Sequence, residues 1–223
     1  MNKQTYILNI DTSVETAFVA LSLNGRVVQT SYNEVQKDHA GFLHVAIREI
    51  IEQNHITLQD LKAVAVTEGP GSYTGLRVGM ATAKGLCYSL GLPMITIGTL
   101  KLIAIDAMMQ SDLQEFLICP MVDARRMEVF TATYNRQLHE IDPPATLILD
   151  EHSYAEILQQ QPVVFCGNGA QKFSRICNHN NAHFFQNNKL VDAMAALSIR
   201  FFNDQSFADL VHTEPLYVKQ HMS

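Results

Sequence analysis

Apolar and polar residues alternate from Thr16 to Leu23, with Phe18 and Ala20 on one face and Val19, Leu21 and Leu23 on the other, the period of a strand. A short apolar run, Tyr6 to Ile10, precedes it and ends on Asp11 and the polar turn Thr12-Ser13-Val14-Glu15. Asn24-Gly25 is a strong hairpin signal, so Arg26 to Ser31 is predicted to return as a third antiparallel strand. The period then changes. Phe42, Leu43, Ala46, Ile47, Ile50 and Ile51 recur at helical spacing, with His44, Arg48, Glu49 and Glu52 opposite. Leu61 to Thr67 is a strand, a glycine-bearing helix begins near Thr74, and Pro93 to Ile97 is another strand. Thr99 then caps an apolar helix from Leu100 to about Met109.

The second half repeats the plan. Phe116 to Val122 is an apolar run ending on Asp123, Glu128 to Tyr134 alternates, and Ala145 to Leu149 follows a turn containing Pro143-Pro144. A helix from about Ser153 to Gln160, a strand Val163 to Cys166, the loop Gly167-Asn168-Gly169 and a helix from Ala170 come next. Asp11 is followed by Phe18 and Ala20, and Asp123 by Phe130 and Ala132, at the same offsets of seven and nine residues. With the shared element order and a glycine loop after the fourth strand of each half (Gly69-Pro70-Gly71 in the first), these offsets favour an α/β fold of two duplicated lobes. The expected lobes are 1–109 and 110–223, with the last segment free to pack back on the first. Asn178 to Asn188 reads as an Asn-rich loop, Val191 to Phe202 as a helix, and Pro215 to Val218 as an extended finish.

Composition narrows the function. The 223 residues carry a formal charge of −6, so no broad basic surface for nucleic acid is supplied, and any RNA contact is local or made through a partner. Cys87, Cys119, Cys166 and Cys177 form no CxxC pair and read as thiols of a reducing compartment. No run is long and apolar enough for a membrane span or signal peptide, which makes the cytoplasm the expected location.

The stretch Glu68 to Gly85, EGPGSYTGLRVGMATAKG, is the most distinctive. Gly75, Gly79 and Ala83 form one small-residue row on the helix, and Ala81, Gly85 and Ser89 a second. Each internal glycine costs roughly 1 kcal/mol against alanine, so another backbone is expected close by: the chain's own sheet, another subunit or a ligand. Asp11, Thr12, Ser13, Gly71 and Ser72 are candidate nucleotide or anion contacts, because a strand-end carboxylate before a hydroxyl turn suits a phosphate or its magnesium ion and a helix N-terminus favours an anion. Internal turn-capping explains the same residues. No lysine completes a P-loop, and Asp123 is followed by Arg125 and Arg126, not by hydroxyls, which argues against a two-carboxylate metal site. His179 and His183 lie in irregular sequence without a nearby carboxylate, and no nucleophile motif occurs, so neither a metal nor a catalytic residue is predicted. The helix Phe42 to Ile51 and the glycine-bearing helix together offer a pair that could meet two helices of another subunit.

The runs ILNIDTSVETAFVAL, TEGPGSYTGLRVGMATAKGLCYSLGLPMITIGTL, VDARRMEVF and EPLYVK resemble the bacterial TsaB (YeaZ) family. The resemblance implies two ribonuclease-H-like lobes of the actin-like, sugar-kinase and Hsp70 superfamily. It also implies a non-catalytic subunit that supports formation of N6-threonylcarbamoyladenosine at position 37 of tRNAs reading codons that begin with A. The implied partners are TsaD, the transferase, and TsaE, an ATPase. A homodimer is implied when the subunit is alone, with tRNA reached only through the complex and no membrane contact. No cofactor of its own is implied, although ATP or ADP at a subunit junction is compatible. The docking surface expected from the two helices is Phe42, Leu43, Ile47, Ile50, Gly75, Arg77, Val78, Gly79 and Ala83. The catalytic relative's His-x-x-x-His metal pair aligns with Thr99 and Ile103, which cannot replace imidazole. The rival reading is an actin-like-fold ATPase or small-molecule kinase working at Asp11 and the glycine loops; a peptidase is weaker still.

Overall fold

The computed structural model describes residues 4–33, 39–186 and 190–218, so the polar stretch 34–38 and the end of the Asn-rich loop, Asn187-Asn188, lie outside the described residues. The chain divides into two units, residues 1–98 with 191–216, and 99–190 with 217–223. The expected boundary at 109/110 moves to 98/99, because the helix opened by Thr99 belongs to the second unit, while Val191–Leu216 belongs to the first, as the allowance for the last segment anticipated.

The first unit contains strands β1 (Tyr6–Asp11), β2 (Ala17–Leu23), β3 (Arg26–Asn33), β4 (Leu61–Gly69) and β5 (Met94–Gly98), with helices α1 (His39–Gln53) and α2 (Tyr73–Leu90). Its sheet runs β3-β2-β1-β4-β5; the first three strands are antiparallel, and β1, β4 and β5 are parallel. The central strands are covered on both faces, which is why Ile7 to Asp11 and Ala63 to Thr67 are buried without alternation. Asn24 and Gly25 both take left-handed backbone, as the hairpin signal requires. The last helix of the chain, Leu190–Asn203, follows in this unit, and the tail closes the β5 edge through a bridge between Met94 and Ala208.

The second unit contains α3 (Thr99–Gln110), β6 (Leu117–Asp123), β7 (Glu128–Tyr134), β8 (Glu140–Ile148), α4 (Ala155–Gln160), β9 (Val163–Cys166), α5 (Ala170–Ser174) and β10 (Ala182–Phe185); the chain's last helix is α6. Its sheet runs β10-β9-β6-β7-β8, the same 3-2-1-4-5 order as the first when counted within the repeat. Two expectations change here. The Asn-rich loop contains β10, which pairs in parallel with β9 from Ala182 to Phe185. Pro143-Pro144 lie inside β8, not in a turn before it. That strand is an edge, and the ladder shifts register between Thr131, which faces Ala145, and Thr133, which faces Asp142, so the missing N–H groups fall at a bulge.

The turn after β1 seats α2. Thr12 Oγ donates to the Gly75 carbonyl at 2.7 Å, the Ser72 N–H donates to the Ser13 carbonyl at 2.7 Å, and Ser72 Oγ accepts from the Gly75 N–H at 3.3 Å. A Cβ on Gly71 would strike the Ser13 carbonyl, on Gly75 the Thr12 carbonyl, and on Gly79 the Thr12 hydroxyl. Gly75, Gly79 and Ala83 are therefore buried against the chain's own turn and sheet. They do not present the solvent-facing docking row the sequence suggested: the approaching backbone is internal. The same holds for Leu43 and Ile50, which are buried in the core of this unit.

The candidate phosphate residues are likewise occupied from within. Asp11, Thr12 and Ser13 are all buried. Asp11 Oδ1 accepts from the Ser13 N–H (2.9 Å), the Ser13 hydroxyl (2.6 Å) and the Thr67 hydroxyl (2.8 Å). Internal capping accounts for these bonds with the chain's own groups. Burial raises the Asp11 pKa from the ordinary carboxylate value, against the opposing effect of those bonds and of the positive charge His39 can carry.

Gly75→Ala should destabilise the chain by about 2–3 kcal/mol, because its Cβ meets backbone, whereas Gly85→Ala, whose Cβ meets open space, should stabilise it by up to about 1 kcal/mol. Urea unfolding of both variants checks the contrast. A carboxyl raised by folding favours stability at low pH and loses that contribution as pH rises through the folded value. Asp11→Asn keeps the accepting oxygen without the charge, so its stability should fall less than the native protein's between pH 4 and pH 8, read by urea midpoints across that range.

Candidate functional site

With one small-residue row of α2 turned inward, the helical period puts the other outward. Ala81, Gly85 and Ser89 are exposed, and a Cβ on Gly85 would meet nothing within 4 Å. These residues and α1 enclose a groove of about 450 Å³ whose apolar lining includes Ile47, Ile51, Leu58 and Leu86. His44, Arg48 and Glu52, one turn apart along α1, supply its charged and titratable side. An apolar trough between two helices, edged by polar groups, is a shape that accepts another helix pair.

Of the docking residues expected from sequence, Ile47 lines this groove, while Phe42 and Val78 are half-buried beside the core. Arg77 is exposed and lies over the Tyr73 ring at 4.1 Å. The groove's own small residues were visible as the second row on α2. What the sequence did not reveal was which of the two rows faced out.

In the second unit Asp123 stands where Asp11 stands in the first, and its carboxylate makes the same local bond, accepting from the N–H two residues on, here Arg125 at 2.6 Å. The surroundings differ. Lys172 Nζ lies 3.0 Å from Asp123 Oδ1, and Asn168 Oδ1 accepts from the Asp123 N–H at 2.9 Å. The glycine loop packs tightly on β6: Gly167 has φ +91°, and a Cβ there or on Gly169 would press on Met121. This loop thus joins strand to helix against its own sheet.

Thr99 opens α3 and Ile103 lies one turn on, both buried, so this position carries a hydroxyl and a hydrocarbon, not two imidazoles. Among the described residues no group of three or more His, Cys, Asp or Glu side chains is disposed to hold a metal ion. Cys87, Cys119 and Cys166 are buried thiols; burial pushes Cys87 up to about 11 and Cys119 up to about 12, which leaves them un-ionised and unreactive at neutral pH. No helix of the described residues is long and apolar enough to cross a membrane.

Known proteins share this architecture. Residues 30–220 match the family model described as TsaD, tRNA N6-adenosine threonylcarbamoyltransferase. The tRNA threonylcarbamoyladenosine biosynthesis protein TsaB of Bacillus subtilis is 33% identical over 168 residues, 72% of this chain and 70% of that protein. Its namesake from Escherichia coli is 28% identical over 224 residues, 97% of this chain and 96% of that one. The solved structure of YeaZ from Pseudomonas aeruginosa superposes with a TM-score of 0.77 at 20% identity, covering 96% of this chain and 99% of that one, a likeness of fold. The duplicated lobes, the groove-bearing helix pair and these matches together place the chain in the TsaB family of tRNA threonylcarbamoyladenosine biosynthesis proteins.

Proposed function

We propose that this chain is the non-catalytic subunit of a cytoplasmic threonylcarbamoyladenosine-forming assembly, and that it docks its TsaD partner through the groove between α1 and α2. One observation carries the reading: α2 has a small-residue row left open to solvent at Ala81, Gly85 and Ser89, although its other row is filled by the chain's own turn. A helix gains nothing within its own fold from an exposed glycine, which costs about 1 kcal/mol in helix propensity, so close approach by another backbone is its best explanation.

The residues that a catalytic role needs point the same way. Thr99 and Ile103 offer no strong metal ligands, and Asp11 commits Oδ1 to Ser13 and Thr67. On this reading the chain has no cofactor of its own, TsaE joins the assembly through the pair, and an isolated chain pairs with itself through the same groove.

Gly85→Leu tests the docking. Its side chain fills the open trough without touching the core, so the variant should stay folded, with its stability to urea unchanged within about 1 kcal/mol, while its affinity for TsaD falls at least about tenfold. Co-purification on size exclusion and titration calorimetry read the two effects separately. Full affinity in a folded variant would show that the partner sits elsewhere.

A further inference from the structure

The β6–β7 connection holds two successive residues, Arg125 and Arg126, in left-handed backbone, with φ of 74° and 46°. That conformation disfavours any side chain with a Cβ, and Asn or Gly is the ordinary solution. Arginine at both positions is a departure that the surrounding structure has to enforce.

It does so closely. Asp123 Oδ1 accepts from the Arg125 N–H, the Glu128 N–H donates to the Arg125 carbonyl at 2.9 Å, and the Leu149 N–H donates to the Met127 carbonyl at 2.7 Å. Lys172, with a side chain only 13% exposed, donates to the Arg126 carbonyl at 2.7 Å and the Glu128 carbonyl at 3.0 Å while pairing with Asp123. Every local carbonyl of the turn from Arg125 to Glu128 is thus bound, and the nearest carboxylate is already neutralised.

The two side chains themselves are exposed, and neither guanidinium has an ion-pair partner among the described residues. Lys172 is committed to Asp123 and to two carbonyls of the turn, so Arg125 and Arg126 are the cations the turn itself displays to solvent. The turn offers little apolar seat, for Met127 is the one large apolar side chain at its tip. A rigid pair of forked donors without an apolar surround suits phosphate better than a protein surface, and neighbouring side chains of this length can reach successive phosphates of one strand.

We infer that the Arg125–Arg126 turn is a direct contact to the sugar-phosphate backbone of the RNA substrate. The inference rests on the proposed membership of a tRNA-modifying assembly and adds to it a site on this subunit. Two phosphate contacts bind RNA weakly by themselves, so the contact acts in the assembled complex, in keeping with a subunit that meets tRNA only there.

The test compares native chain, Arg125→Asn/Arg126→Gly and Arg125→Lys/Arg126→Lys, each assembled with TsaD and TsaE. The Asn/Gly variant relieves the backbone strain, so its urea midpoint should be equal or higher. Its complex should form normally yet show about tenfold weaker tRNA binding, with the slope of log affinity against log salt shallower by about 1.5. The lysine pair should keep most of the salt slope. An intact complex with unchanged tRNA affinity and salt slope would overturn the inference. Loss of complex assembly in the Asn/Gly variant would overturn it too, by showing that the turn meets protein. If the native chain itself fails to assemble with TsaD, the underlying functional reading fails first and takes the inference with it.

Discussion

The close approach of α2 to the turn after β1 is the constraint on which the rest of the first unit depends. Thr12 meets Gly75 through its hydroxyl and would collide with any side chain there, and Ser72 is tied to Ser13 before the helix has completed a turn. A helix held this near to a strand end cannot rotate about its axis. Its inner row is therefore fixed as Gly75, Gly79 and Ala83, and Ala81, Gly85 and Ser89 are fixed outward by the helical period. The groove with α1 is a consequence of that seating. The glycines that look most suited to a partner are the ones that make the fold, and the surface left for a partner lies about a third of a turn away.

Duplication gives two answers to the same local problem. Both units end the first strand on an aspartate whose carboxylate accepts the N–H two residues on. In the first unit the aspartate is buried, and hydroxyls from Ser13 and Thr67 satisfy it. In the second it is exposed, and a lysine satisfies it. The helix after the fourth strand differs as well, running eighteen residues in α2 and five in α5. A long helix can build a groove with its neighbour, whereas a short one can only brace a loop. In each unit the strand end that suited a nucleotide by residue type is tied to the segment after the fourth strand by the chain's own groups, Thr12 donating to the Gly75 carbonyl in one and the Asp123 N–H donating to Asn168 Oδ1 in the other.

Much of this was legible in sequence, and the failures have physical causes. The element order of the repeat, the Asn24-Gly25 hairpin and the matched offsets depend on local pattern, and local pattern is what a sequence displays. The inward face of α2 depends on Thr12, sixty-three residues from Gly75, and periodicity is silent on which of two small-residue rows such a contact selects. β10 was hidden because four residues, Ala-His-Phe-Phe, stand in Asn-rich surroundings and carry too few positions to show a period. Pro143-Pro144 read as a turn because proline interrupts a ladder; the structure meets that rule with a bulge at the sheet edge.

The left-handed arginines mark the limit of such reading. Asp123-Ala124-Arg125-Arg126 carries no glycine or asparagine, so nothing in the residue types announces a backbone that those types avoid. The turn is braced from a distance by Lys172, forty-six residues from Arg126, which donates to the Arg126 carbonyl. A turn that needed only to reverse the chain would do so with less strain as Asn-Gly, as the first unit's Asn24-Gly25 does. Single non-glycine residues take left-handed backbone elsewhere, as Leu138 does at the next hairpin, but Arg125 and Arg126 do so in succession, and the turn that holds them is anchored by Asp123, Lys172 and Leu149. On the proposed reading the second unit acts through its hairpin tip and the first through the groove between α1 and α2.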